Sequence, residues 1–531
     1  MTVLLIYLIS CTLIAGQSGG SGSISGTVRD IKTKSPLTGV NLQLIGTMNG
    51  AVSDENGVFK IERVSTGSQQ IEASYLGYST RIIADIIVKA GQSSQLIIEL
   101  AEDVIQSETE TVTASYFNES NTAVPSLTTF SREEIRRAPG AAGDISRIIT
   151  SLPSIAKVDD QSNQLAVRGG NPIETTFFVD QIEIPNINHF PKQGSSGGPI
   201  GLINTEMIQS VDFQAAAFPA AYGDRLSAIM HIDFRDGDRE SFRSRFNLDL
   251  SGAGIILEGP LGDRSSYLLS FRRSYLDLLI NSFDLGTSSV PHYGDIQAKI
   301  IYEANSSNKL SLLVFQSDDH LKSEAEDASE NDMVVYGNQD ISELTTGVNW
   351  RYLWNKSAYS NTSIAITRTA YDELFYETGT DQLLEKNRSS ENTLKFRNSN
   401  FIRLKTNLSI EFGAEFKVQS QEFNNYFGAT ENTGGDSLNA ALLVSKTKTN
   451  YRALFLQLDS EFYKNWSLQF GLRSEYRSYH DSFTLSPRFS LRYQFDPQQK
   501  VIVSYGRYYQ SLPAKLNELN QTELELPSSD H

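Results

Sequence analysis

The chain's six histidines, His189, His231, His292, His320, His480 and His531, are its best candidates for holding a metal or moving a proton. A zinc protease would set two of them four apart on a helix around a glutamate, as His-Glu-x-x-His. No pair here has that spacing. Gly194-Ser195-Ser196-Gly197-Gly198 fits Gly-x-Ser-x-Gly in letters. A nucleophile elbow also needs a buried strand before the serine and assignable acid and histidine partners. Both are missing, so this run reads as a flexible loop. No Gly-x-x-x-x-Gly-Lys-Ser/Thr sequence is present to cradle a phosphate. The single cysteine, Cys11, excludes an internal disulfide and a thiolate cluster. The carboxylates are spread along alternating segments and loops, as solvated faces are. The expectation is no enzyme, no catalytic residue, no cofactor and no metal.

The remaining chemistry concentrates between Val167 and Ile232, and short elements must hold it. Arg168-Gly169-Gly170 opens the stretch; an apolar strand, Thr176–Val179, turns at Asp180-Gln181 and returns as Ile182–Ile184. A short helix carrying Ile203, Met207 and Ile208 then leads into a strand over Ser210–Gln214. Tyr222-Gly223-Asp224-Arg225 precedes a last apolar strand. Before this stretch, Ser131-Arg132-Glu133-Glu134 offers an N-cap with acids in the first turn of a helix over Thr129–Arg137. Asp144–Thr150 is expected to be a second helix.

A net charge of −17 over 531 residues leaves no surface to neutralise phosphates, which argues against nucleic acid. Val3–Ala15 is an apolar run followed by Gly-Gln-Ser-Gly. It reads as an export signal over residues 1–17, with a lipoprotein site at Cys11 as the lesser reading. The run is shorter than the roughly 20 residues a membrane helix needs. Entry into a membrane would therefore be by strands. From Asp238 onward the segments alternate strictly. Leu408, Ile410, Phe412, Ala414, Phe416 and Val418 share one face of Asn407–Ser420, with Glu411, Glu415 and Lys417 on the other. Trp466–Arg477 and Leu485–Phe495 repeat the pattern. A lipid-facing wall with an aqueous interior fits this, and so does a soluble sandwich; the length of the segments favours the membrane. Residues 22–102 alternate in shorter pieces, which suggests a small β-sandwich.

Three motifs in order, Arg168-Gly169-Gly170 with the strand–Asp180–strand turn, Ile203–Phe213, and Tyr222-Gly223-x-Arg225-x-Ser227, resemble the plug domain of TonB-dependent outer-membrane receptors. That family usually carries Lys-Gly or Ser-Gly after the Val211–Phe213 strand, where this chain has Ala215-Ala216-Ala217. Gly26-x-Val28-x-Asp30, Asp54-x-x-Gly57-x-Phe59 and Ser74-Tyr75-Leu76-Gly77-Tyr78 look like the carboxypeptidase regulatory-like domain that often precedes the plug in receptors of the Bacteroidetes type.

The resemblance implies a mainly β fold: an N-terminal β-sandwich (22–102), a linker with the TonB box (103–120), a small α+β plug (121–237) and part of a transmembrane antiparallel β-barrel (238–531). Roughly a dozen segments follow Asp238 against about 22 strands in the family's barrel, so the sequence is expected to hold part of that barrel. Glu108, Thr109, Glu110, Thr111, Val112, Thr113 and Ala114 resemble the TonB box, whose extended strand can be added to a partner's sheet edge. A solvated linker and a last sandwich strand remain alternatives there. Arg168 and Arg225 are expected to meet inner-wall carboxylates such as Glu411, Glu415, Glu461 and Glu475, or to be ordinary turn arginines. By resemblance, Asn188, His189 and Phe190 lie on an apical loop facing the substrate, with a purely structural loop as the alternative. The implied partners are the TonB-ExbB-ExbD complex, outer-membrane lipid, an external solute (oligosaccharide, peptide or siderophore) and a candidate surface lipoprotein. A non-transporting adhesin or sensor, signalling through the sandwich, is the other functional class.

Overall fold

The computed structural model describes residues 21–102, 126–138, 143–158, 162–195, 197–249, 252–275, 291–431, 437–463, 465–496, 499–513, 515–516 and 518. The signal segment and the Glu108–Ala114 box lie outside the described residues. The chain separates into two compact units, residues 1–116 and 117–531.

The first unit is two facing sheets. Ser21–Asp30 is the centre of one, antiparallel to Val58–Ser65 and parallel to Ser93–Leu100. The other runs Gly50–Val52, Asn41–Leu44, Gly67–Ser74, Arg81–Val88. Alternation brings Ile24, Val28, Leu42, Phe59, Ile61, Ile71 and Ile98 into one core. Glu99 is paired with Arg29 at 2.6 Å and Lys34 at 2.8 Å. Burial would raise its pKa, but these cations outweigh it and hold the carboxyl at about 2.

In the second unit, a five-stranded sheet forms the plug, in the order Ile182–Ile184, Thr175–Val179, Ala228–Phe234, Ile208–Ala215, Leu127–Ser131. Asp180 and Gln181 both have positive φ (45° and 72°), which lets a two-residue turn match the twist of the strands it joins. Ser131 caps the first helix in a capping box with Glu134, but that helix is only Arg132–Arg137. Thr129 and Phe130 are instead part of the edge strand Leu127–Ser131, because pairing with Ser210–Gln214 outweighs helix propensity there. The second helix is Ile145–Ile149, capped by Asp144. The apolar spacing at Ile203, Met207 and Ile208 gives a 3-10 turn, Thr205–Met207, rather than a helix; Ile208 already starts the next strand. Ala216 and Ala217 are both left-handed (φ 67° and 51°), so alanine takes a turn that glycine would enter without strain.

Thirteen strands, from Arg243–Asp249 to Gln499–Gly506, form one antiparallel sheet, each bonded to the next in chain order. Its outer face exposes Ile364, Ile366, Leu394, Leu454, Leu456, Val501 and Val503. Gln457, Arg473, Glu475 and Arg488 are buried on the inner face. Trp350, Tyr352, Trp354, Phe462, Tyr463 and Phe495 are exposed next to the tight turns at one end of the sheet. An apolar band edged by aromatics is the outer surface of a membrane barrel. The plug is nested in the curve. Its Ile148, Phe177, Met207, Val211 and Met230 share one core with the wall's Ile256, Leu268, Leu313 and Phe315. No described helix is long and apolar enough to cross a membrane.

Candidate functional site

The site is the junction of plug and wall, built from two joints with a cavity beside them. At the first, the plug ribbon Asn188–His189/Ile200–Gly201 rests on the early wall strands. His189 is completely buried. Its Nδ1 is 2.6 Å from Asp319 Oδ1 and its Nε2 3.2 Å from Asp295 Oδ2. The Phe190 N–H donates to the other Asp319 oxygen at 2.6 Å, which helps fix Phe190 at its left-handed φ of 55°. Arg272 donates to the carbonyls of Gly201 (2.8 Å) and Leu202 (2.7 Å) and to Asp295 (2.7 Å). Burial alone would lower the His189 pKa; Asp319 and Asp295 outweigh it, so the ring is held above its ordinary value.

At the second joint the wall grips plug backbone. Arg488 donates to the carbonyls of Phe218 (3.0 Å), Pro219 and Tyr222 (2.6 Å). Arg473 reaches those of Ala220 (3.2 Å) and Ala221 (3.4 Å), and Arg397 also reaches Ala221 (3.3 Å). Arg397 lies over the Tyr222 ring at 4.9 Å. Arg473 is itself fixed by Glu475 (2.6 Å), Glu415 (2.9 Å) and the Tyr451 hydroxyl (2.8 Å). Gly223 permits this approach: a Cβ there would stand 2.1 Å from both Arg473 Nε and Glu475 Oε1. Asp224 takes Lys417 at 3.3 Å and the Ser511 N–H at 2.7 Å. Burial raises the Asp224 pKa, but Lys417, Arg225 and Arg477 more than reverse this and hold it below the usual range.

Between the joints, Lys299 bridges Asp180 (3.1 Å) and Asp236 (3.3 Å). Burial dominates at Asp180: with Asp233 adding to it, it overrides Lys299 and pushes the carboxyl up to about 6. A cavity of about 250 Å³ opens between the plug loops at 183–195 and 224–225 and the wall, with Asn186, Glu343, Tyr371, Glu391 and Tyr451 in its lining. Among the described residues, no group of three or more His, Cys, Asp or Glu is arranged to hold a metal ion.

The sequence-predicted residues divide. His189, Phe190 and Asn188 come together, buried at the first joint, and Tyr222, Gly223 and Arg225 at the second. Asp180 lies under Lys299. Arg168, Gly169 and Gly170 form a tight turn, with Arg168 donating to Ser126 at 2.5 Å. The expected pairing of Arg168 and Arg225 with wall carboxylates is not made. Arg225 pairs with Glu183 of the plug (3.4 Å), while the wall's Lys395 and Arg473 occupy Glu415. Glu461 is exposed at a strand end. Nothing in the sequence singles out Arg397, Arg473 and Arg488.

Residues 24–112 match the model of the CarboxypepD_reg-like domain, 120–228 that of the TonB-dependent receptor plug domain, and 302–523 that of the TonB dependent receptor-like beta-barrel. No curated protein matches the chain. Among solved structures, a variant of the ferric enterobactin receptor PfeA from Pseudomonas aeruginosa matches with TM-score 0.55 at 15% identity, over 73% of this chain and 62% of that one. The siderophore receptor PirA from Acinetobacter baumannii matches with TM-score 0.55 at 15% identity, over 73% and 61%. The outer membrane transporter YddB from Escherichia coli matches with TM-score 0.53 at 13% identity, over 76% and 64%. The chain thus spans less than two thirds of the length of these structures.

Proposed function

We propose, from the premise that this chain belongs to the TonB-dependent receptors, that it serves energy-coupled uptake of a scarce solute across the outer membrane. In this reading TonB, driven with ExbB and ExbD, adds to the extended segment Glu108–Ala114 and pulls the plug away from the wall. The N-terminal sandwich lies in the periplasm. The external solute is an oligosaccharide, a peptide or a siderophore; the related structures include siderophore receptors by name, at an identity that speaks for fold alone. A surface lipoprotein is a further candidate partner. The sandwich-signalling adhesin has no specific observation in its favour.

One observation carries the reading. Beside their shared apolar core, plug and wall are joined by hydrogen bonds and ion pairs from wall side chains, above all Arg272, Arg473 and Arg488 to plug carbonyls, and among the described residues by no strand pairing. Such bonds can be exchanged for water one at a time when a strand is pulled, whereas a shared sheet would resist as a unit. The test is Val112→Pro in the full-length receptor, because proline removes a donor from an added strand. Receptor-dependent growth on the solute is expected to vanish while binding at the cell surface persists. Unchanged uptake would overturn coupling through this segment.

A further inference from the structure

We propose that the cavity between plug and wall binds the cationic end of a small solute, an ammonium or guanidinium group, with Glu343 as its counter-ion. The proposal rests on the uptake reading above and narrows the class of solute. Glu343, on strand Val335–Asn355, is 4% exposed and lines the cavity. It has no hydrogen-bond or ion-pair partner among the described residues; the charges acting on it are Asp319 and His189, which face each other at the first joint. A buried carboxylate without a partner is costly, and an arriving cation would offset that cost.

Among the other unfilled groups on the cavity wall acceptors outnumber donors: Arg225 Nε is a donor, and the Thr175 and Tyr479 hydroxyls can play either part. Asn186 Oδ1, Gln421 Oε1 and Gln510 Oε1 are buried acceptors with no donor. The cavity's cations, by contrast, are engaged. Lys395 is held by Glu415 (2.5 Å), Lys417 by Asp224 (3.3 Å), Arg477 by Glu475 (2.6 Å) and Arg225 by Glu183 (3.4 Å). Lys515 stands over the Phe427 ring at 5.0 Å. Vacant acceptors beside occupied cations favour a guest rich in N–H or O–H donors and bearing positive charge. Tyr371, also in the lining, adds an aromatic surface of the kind cations prefer. The volume of about 250 Å³ lies below the range of drug-sized sites, which start at about 300 Å³. It suits one amine-bearing residue or sugar, or the tip of something larger.

The experiment is calorimetric titration of the detergent-solubilised full chain. Putrescine, agmatine and glucosamine serve as cationic probes, and 1,4-butanediol, glucose and succinate as neutral and anionic controls. At least one cationic probe is expected to bind and the controls are not. Glu343→Gln should weaken that binding about tenfold or more, the scale of a lost charged hydrogen bond, while Glu343→Asp should keep most of it. Failure of all three cations to bind, equal binding of a control, or full affinity in Glu343→Gln would overturn the site. If Glu343→Gln does not fold, the preference of the unsubstituted chain for amine over diol and dicarboxylate still decides. Loss of amine binding with Val112-dependent uptake intact rejects this site alone. Amine binding without Val112-dependent uptake rejects the transport reading alone.

Discussion

The two joints hold the same plug by opposite chemistry. At the first, the wall offers carboxylates, Asp295 and Asp319, to a buried plug imidazole. At the second, it offers guanidinium groups to plug carbonyls. An imidazole titrates near neutrality and a guanidinium does not. One attachment is therefore adjustable by proton supply and the other is constant. The groups facing His189 are Asp295, Asp319, Arg272 and the Tyr293 ring, with Glu343 further off. His231, the other plug histidine, is the contrast within one domain. Burial first, and then Arg397, lower its pKa to about 3, so it stays neutral.

Arg473→Leu should do the most damage, because it removes one of two cations from each of two buried carboxylates, leaving Glu475 to Arg477 and Glu415 to Lys395. Breaking a buried pair of this kind costs about 3–5 kcal/mol. Thermal unfolding and protease release of the plug would show it; parental behaviour would mean that the constant joint bears little of the load. His189→Leu comes next, at about 1.5–3 kcal/mol for hydrogen bonds to charged groups, read as faster amide exchange at residues 188–201. The sign follows from the raised pKa. His189 contributes fully below its unfolded value of about 6.5 and its contribution is lost as pH rises through the folded value. The gap between parent and variant should therefore close on going alkaline, and a gap that widened would dismantle the comparison. Gly223→Ala should cost about 1–3 kcal/mol by overpacking against Arg473 and Glu475, leaving exchange at the histidine joint unchanged. The smallest effect should be a gain. Ala217→Gly relieves a left-handed alanine next to Phe218 and should stabilise the guanidinium joint by about 1 kcal/mol.

Much of the architecture was legible because alternation is a two-sided signal. Leu454 and Leu456 point to lipid while Gln457 points inward, and either face alone would have been ambiguous. The Ser131 cap and the Asp180-Gln181 turn were readable because each rests on residues close in sequence. The extent of the first helix was misjudged because the competing partner of Thr129–Phe130 lies some eighty residues away. The arginine grip was hidden for a deeper reason. Its acceptors are backbone carbonyls, which every residue has, so the plug sequence carries no mark of them. Glu343 was equally silent. Its position inside the wall follows from alternation, but its lack of a partner depends on what twelve other strands bring near it.

A grip on carbonyls leaves the Ala220 and Ala221 side chains without a bonding role, whereas the Phe218 ring still packs under Arg488 at 5.4 Å. At these two alanines the wall asks that the chain trace and bulk be kept: Ala220 and Ala221 are almost fully enclosed, and a Cβ on Gly471 would come within 2.8 Å of the Ala220 methyl. Random replacement at Ala220 and Ala221 should accordingly accept glycine and serine far better than any larger residue.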